Sequence, residues 1–147
     1  MSTFVGWAAI LVATSLICFG RKDETTEQLI ARAEAAPLQQ QSDLFSEVAE
    51  RELGSALEAF KAGNNQEARS ALEEIVKYSD KAHAASMKAD KRQKRTEIKL
   101  RKISMRLRDM KLNVDVDDQP QVQAAVDKLE QFRTELLKSM FGSKNND

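Results

Sequence analysis

Helix-breaking residues are nearly absent from the middle of this chain, where no glycine or proline occurs between Gly63 and Pro120. The residues after position 20 are rich in Ala, Leu, Glu, Lys, Gln and Arg, the types with the highest helix propensities. No segment shows the sustained alternation of a strand. The sequence therefore predicts an all-α protein, an antiparallel helical bundle of three to four main helices after an N-terminal hydrophobic segment.

The first part of the charged region is predicted to contain two helices. Apolar residues at spacings of three and four predict a short helix at about 26–35 and a longer one at about 42–62. Pro37 ends the first helix, because proline disfavours the helical conformation of the residue before it. We therefore interpret residues 21–41 as a short helix and linker, and residues 42–141 as the helical bundle.

A glycine turn is predicted to join the second and third helices. Gly63 suits the left-handed position that closes a helix, and Asn64 with Glu67 has the spacing of a capping box. The third helix would then begin near Asn65 and bury a seam of small residues. Residues 88–97 contain no large apolar side chain, so the chain either turns there or continues as one long helix.

The last part of the chain is predicted to hold two further helices. One lies at about 96–112, and the other follows an acidic loop. Asp118 and Gln121 are expected to cap the last helix. Residues 142–147 are expected to form a disordered tail.

The first twenty residues carry no charged side chain, whereas all Lys, Arg, Asp and Glu residues lie after position 20. Residues 4–19 are mostly apolar, as in a secretory signal peptide, and Cys18 and Gly20 supply small residues for cleavage. A membrane anchor is the alternative, because the run is at the lower limit of a spanning helix. An ordinary buried helix is the third interpretation.

We therefore expect residues 1–20 to be a signal peptide or membrane anchor. The predicted location is the periplasm or cell envelope after export. The alternative is anchoring in the inner membrane by residues 4–19, through which membrane contact would occur.

A strongly basic stretch occupies residues 88–112, which contain eleven Lys and Arg residues against three acidic ones. A basic helix of this kind binds anionic lipid, envelope polymer or nucleic acid. The competing interpretation is internal neutralisation by acidic segments at 43–74 and 115–135, which the zero net charge favours. Nucleic acid is disfavoured, because the stretch has no Trp or Tyr for base stacking. The candidate residues for binding an anionic surface are Lys91, Arg92, Lys94, Arg95, Lys99, Arg101 and Lys102.

Ile98, Met105 and Leu112 recur every seven residues on the face of this helix opposite its predicted core stripe. A helix with two apolar faces is either buried between neighbours or exposes one face to a partner. We interpret the three residues as a candidate self-association seam. Burial under the first helix is the alternative. A protein partner or self-association is therefore expected.

The sequence offers no candidate catalytic, metal-binding or cofactor-binding residue. It contains no nucleophile elbow, phosphate-cradling glycine loop or dinucleotide-binding fingerprint. His83 is the only histidine and has no second ligand nearby, so we interpret it as a surface or hairpin-edge residue. Residues 115–118 lack the glycine and glutamate of a calcium loop and are interpreted as a helix-capping loop. We expect a protein that is not an enzyme and uses no cofactor.

One helical hairpin carries a familiar pattern of small residues. Ala56, Gly63, Ala68 and Leu72 resemble the small residues and turn of a single tetratricopeptide repeat. Such repeats need about three stacked copies to bury a continuous core, and no second copy follows. Packing of an ordinary helical hairpin explains the same pattern.

Several short motifs carry a second resemblance. They are Ala49-Glu50-Arg51, Tyr78-Ser79-Asp80-Lys81-Ala82, Thr96-Glu97-Ile98, Arg106-Leu107-Arg108-Asp109, Asp118-Gln119-Pro120, Arg133-Thr134-Glu135-Leu136-Leu137 and Met140-Phe141-Gly142. With them, residues 43–142 resemble a group of uncharacterised small exported bacterial α-helical proteins of unknown function. That resemblance implies export and brings no activity or binding residue with it.

The sequence as a whole predicts a non-enzymatic exported helical protein. It would act by protein–protein interaction or as a structural module in the cell envelope. The alternative is a peripheral binder of anionic lipid, envelope polymer or nucleic acid through the basic helix at 88–111.

Overall fold

The computed structural model describes residues 24–142. The hydrophobic segment at 1–20 and nearly all of the predicted tail lie outside the described residues. Within 24–142 the chain forms five α-helices and no strand, so the all-α prediction is confirmed there. The helices are α1 (Thr26–Ala35), α2 (Leu38–Lys61), α3 (Asn65–Ala89), α4 (Gln93–Lys111) and α5 (Gln119–Phe141).

α1 begins and ends as the sequence predicts. Thr25 and Gln28 form a capping box: Thr25 Oγ1 accepts a hydrogen bond from the Gln28 amide at 3.2 Å, and Gln28 Oε1 accepts one from the Thr25 amide at 3.0 Å. The helix ends before Pro37. The predicted start of the second helix near residue 42 is late, because α2 already begins at Leu38. Pro37, with a φ of −55°, suits a helix start.

α2 and α3 form a long antiparallel hairpin closed by Gly63. Gly63 has a φ of 76°, and the amides of Gly63 and Asn64 donate to the carbonyl oxygens of Phe60 and Ala59 at 3.1 and 2.9 Å. This pattern is a Schellman motif. The capping box predicted from Asn64 does not form, since its side chain makes no cap hydrogen bond.

The chain turns sharply between α3 and α4. Of the two alternatives for residues 88–97, a turn or one long helix, the structure has the turn. Asp90 and Arg92 adopt left-handed backbone conformations, with φ of 45° and 64°. These conformations are uncommon for residues other than glycine. α4 begins at Gln93, slightly before its predicted start near residue 96.

Asp118 precedes α5 but does not cap it with its side chain. Its carboxylate is 2% exposed and accepts two hydrogen bonds from Arg69 on α3, at 2.9 and 2.7 Å. Gln121, the other predicted cap, lies inside α5. The predicted cap is therefore a tertiary ion pair that fixes the start of α5 on α3.

One hydrophobic core lies between the α2–α3 hairpin and the α4–α5 pair, while α1 packs on α2. The apolar stripes of α4 and α5 both face this core. None of the described helices is both long and apolar enough to cross a membrane. The buried residues of the two stripes are Leu100, Ile103, Leu107, Met110, Val122, Ala125, Val126, Leu129, Phe132 and Leu136.

Candidate interaction surface

Large apolar side chains are exposed on the outward face of α4 and at its C-terminal end. Ile98, Met105 and Leu112 are 37%, 56% and 81% exposed. The alternative of burial under the first helix is wrong, because α1 packs on α2 and makes no contact with α4. Apolar side chains aligned on a solvent-facing surface are a feature of contact sites.

A polar network holds one edge of α4 against α5. The Arg133 guanidinium donates to Glu97 and, at 2.6 Å, to Glu130. Ser104 Oγ donates to the other oxygen of Glu130, and Arg108 Nη2 lies 3.2 Å from the same oxygen. Burial raises the pKa of Glu130, but the hydrogen bonds and the two guanidinium charges outweigh it and hold that pKa below its ordinary value. The network therefore fixes the rotation of α4.

The opposite edge of α4 faces Asp43 on α2. Arg92 donates a hydrogen bond to one oxygen of the Asp43 carboxylate. The other oxygen lies 3.2 Å from Arg95 Nε and 3.4 Å from Lys99 Nζ. Lys99 also donates to the Asp43 main-chain carbonyl at 3.2 Å. Three of the seven predicted cations thus share one carboxylate.

A surface hollow of about 590 Å³ lies between α2 and the first half of α4. We call it the basic hollow. Its lining contains five cationic side chains and one carboxylate, that of Glu50, and a second carboxylate, that of Asp43, lies beside it. The hollow therefore has an excess of three positive charges. It is lined by Glu50, Arg92, Lys94, Arg95, Ile98, Lys99 and Lys102.

The basic hollow joins the two predicted sites only in part. Lys91 and Arg101 are exposed but lie outside its lining, and Met105 and Leu112 extend the apolar line beyond it towards the C-terminal end of α4. Ile98 is the one residue of the predicted seam that lies among the cations. The two predictions therefore describe adjoining parts of one face.

Asp43 and Glu50 belong to the acidic segment at 43–74 that the competing interpretation expected to neutralise the basic stretch, and the contacts of Asp43 agree with that interpretation in part. Asp43 and Glu50 lie more than forty residues before the cations they face, so only the tertiary fold reveals the contact. The sequence also gave Val116 no role, although it is 78% exposed between Asp115 and Asp117. The sequence signal for such a role is an apolar residue between two acidic residues in a loop.

His83 is not a surface residue. Its side chain is 12% exposed, its ring stacks on Phe132 at 5.2 Å between centroids, and Nε2 lies 3.1 Å from a Glu135 oxygen. It belongs to the α3–α5 interface. No group of residues suited to hold a metal ion occurs within the described chain.

Comparison with known proteins gives no match, whether to protein-family models, to curated proteins or to solved structures. The arrangement of charge and apolar surface on α4 is therefore the basis for a functional interpretation. A surface with this arrangement can bind an anionic group that carries an apolar part.

Proposed function

We propose that this protein is a non-enzymatic helical module that works by protein–protein contact through the outward face of α4. The observation that supports this most directly is the exposure of Ile98 and Met105 along the middle of a face bordered by cations. An apolar centre within a polar rim is the usual anatomy of a protein interface.

The charge of this face indicates an acidic partner surface. Lys94 and Lys102 make no ion pair within residues 24–142, and the basic hollow keeps an excess of positive charge. A symmetric contact between two α4 faces would bring these cations against their own copies, and like charges in contact are unfavourable. The candidate seam of Ile98, Met105 and Leu112 therefore fits an acidic partner surface better than it fits the same seam on a second chain.

The proposed location is the cell envelope, reached by export. The charge-free segment at 1–20, with its apolar run at 4–19, supports this location. Anchoring in the inner membrane by the same run is the alternative. Export would bring the helical module to a partner in the envelope, whereas anchoring would hold it at the inner membrane.

A peripheral binder of an anionic surface is the second candidate function. The unbalanced cations of the basic hollow favour it, because basic residues beside apolar ones bind anionic lipid and envelope polymers. The apolar line of α4 is only one residue wide, which leaves little apolar surface to enter a bilayer and favours a protein partner instead. Binding to anionic vesicles that disappears at high salt would support this second function.

Site-specific photo-crosslinking in the native cell tests the main proposal. A photo-reactive residue replaces Met105, or Gln131 on the exposed side of α5 as the position control. We expect a discrete protein adduct from position 105 only, and its loss in the variant Lys94→Glu/Lys102→Glu. The charge-matched control Lys128→Glu/Lys138→Glu on α5 should keep the adduct. Equal adducts from both positions, or none from position 105, would contradict the proposal.

A further inference from the structure

The loop between α4 and α5 carries the charge and the apolar tip that complement the basic hollow. We call residues 113–118 the acidic loop. Val116 is 78% exposed, and Leu112 before it is 81% exposed; they are the two most exposed large apolar side chains of the described residues. Asp115 and Asp117 flank Val116, and both are exposed.

The acidic loop is a well-held turn. The amides of Asp118 and Gln119 donate to the Asp115 carbonyl oxygen at 2.9 and 3.2 Å, and Gln119 Nε2 donates to the Val114 carbonyl oxygen at 3.5 Å. The carboxylates of Asp115 and Asp117 take part in no hydrogen bond or ion pair within residues 24–142. The loop thus presents two solvent-facing carboxylates on a pre-formed turn, which lowers the ordering cost of binding.

We infer that the partner of the basic hollow is a second copy of this chain, whose acidic loop seats Val116 against Ile98. This inference rests on the proposed function of the α4 face. The two carboxylates beside Val116 would meet Lys94 and Lys102, and two of the three unbalanced positive charges of the hollow would be neutralised.

The positions of the two surfaces dictate how copies would assemble. The basic hollow lies along the first half of α4, whereas the acidic loop follows its last residue. A helix of 19 residues is about 28 Å long, so a chain cannot place its own loop in its own hollow. Each copy would offer a hollow at one end and a loop at the other, and such head-to-tail contacts build rings or open chains.

Complementary variants test this inference. The loop variant Asp115→Lys/Asp117→Lys keeps an intact hollow, and the hollow variant Lys94→Glu/Lys102→Glu keeps an intact loop. The full chain is studied in mild detergent by analytical ultracentrifugation, so that its apolar run at 4–19 is solvated. The control Glu73→Lys/Asp80→Lys makes the same charge change as the loop variant on exposed residues of α3.

We expect wild-type and control chains to form concentration-dependent oligomers that dissociate at high salt. Each of the two variants alone should associate about tenfold or more weakly. An equimolar mixture of the two should assemble again, because the intact loop of the hollow variant fits the intact hollow of the loop variant and the two charge-reversed surfaces also attract each other. Assembly of the loop variant like wild type, or a mixture that stays monomeric, would overturn the inference.

The inference and the proposed function fail in different ways. A wild-type chain that is monomeric at all concentrations, while position 105 still gives an adduct of a different protein in the cell, refutes self-assembly alone. A chain that assembles through residues 4–19 would assemble equally in both variants, which also refutes the inference.

Discussion

The Arg133 guanidinium on α5 donates two hydrogen bonds, of 3.0 and 2.7 Å, to a single carboxylate oxygen of Glu97 on α4. Glu97 is 7% exposed, so this pair lies at the edge of the core. Ile98 follows directly and is therefore turned towards solvent. The orientation of the proposed docking face depends on this contact.

Replacing Arg133 with methionine should destabilise the fold by about 2–4 kcal/mol, because Glu97 would stay nearly buried without its partner. The double variant Glu97→Gln/Arg133→Met should recover part of that loss, since no unpaired charge remains. Urea denaturation measures both. The control Arg106→Met, on an exposed residue of α4, should change stability by no more than about 0.5 kcal/mol. Equal effects at both arginines would contradict the role given to the pair.

Replacement of Glu52 on α2 should stabilise the fold, in contrast to replacement of Arg133. Burial, together with the charges of Glu74 and Glu27, raises the pKa of the Glu52 carboxyl above its ordinary value of 4.5. A raised carboxyl pKa means that the folded state holds the proton more tightly, so ionised Glu52 opposes folding at neutral pH. Glu52→Gln should therefore stabilise the protein slightly at pH 7, by about 0.5 kcal/mol or less, because solvent partly screens this half-buried carboxyl.

The pH dependence provides the check on Glu52. The advantage of Glu52→Gln should shrink as pH falls through the folded-state pKa, because wild-type Glu52 is then protonated as well. Thermal unfolding between pH 7 and pH 4 measures the difference. The control Glu73→Gln, on an exposed residue, should give a constant and small difference. A destabilised Glu52→Gln variant at pH 7 would show that the carboxylate is favourably paired.

Two glycines should respond with opposite signs to the same substitution. Gly63 has a φ of 76°, whereas Gly54 lies inside α2 and has open space where a Cβ would be. Gly63→Ala should destabilise by about 1–2 kcal/mol, because alanine is strained in the left-handed region. Gly54→Ala should stabilise by about 0.5–1 kcal/mol through the lower helix propensity of glycine. Chemical denaturation of both variants measures these changes in stability. A stabilising effect of Gly63→Ala would contradict the left-handed conformation assigned to residue 63.

Much of the fold follows from local sequence patterns. Leu53, Leu72 and Leu107 lie in stripes of three- and four-residue spacing, and each is buried as that spacing predicts. The turn at Asp90 and Arg92 was undecided, because aspartate adopts the left-handed conformation only occasionally and arginine rarely does so. Only the tertiary structure forces the chain to reverse there.

The candidate site was predictable only in outline. The cations of α4 stand out as a cluster in the sequence, but their pairing depends on Asp43, which the fold brings from α2. Asp118 was misassigned for the same reason, since its partner Arg69 lies on another helix. Local patterns give the elements, whereas contacts between distant residues decide which charges stay free for a partner.

Met105→Glu should weaken association while leaving the helices intact. Met105 is 56% exposed, so a carboxylate there costs the fold little, but it would repel an acidic partner surface. We expect association about tenfold or more weaker with an unchanged far-ultraviolet circular dichroism spectrum. Light scattering of Met105→Glu beside the α5 control Gln131→Glu measures the effect. An unchanged mass for Met105→Glu would remove position 105 from the contact between copies of the chain.

Protection of position 105 from chemical labelling tests the docking face most directly. Met105→Cys is placed in a Cys18→Ser background, since Cys18 is the only cysteine of the chain, and Gln131→Cys serves as the control. A thiol reagent of low molecular weight is applied to native cell envelopes and to the purified monomer. We expect much slower labelling of position 105 in the native material than in the purified monomer, with equal rates at position 131 in both. Equal rates at position 105 in both preparations would contradict the proposed docking face.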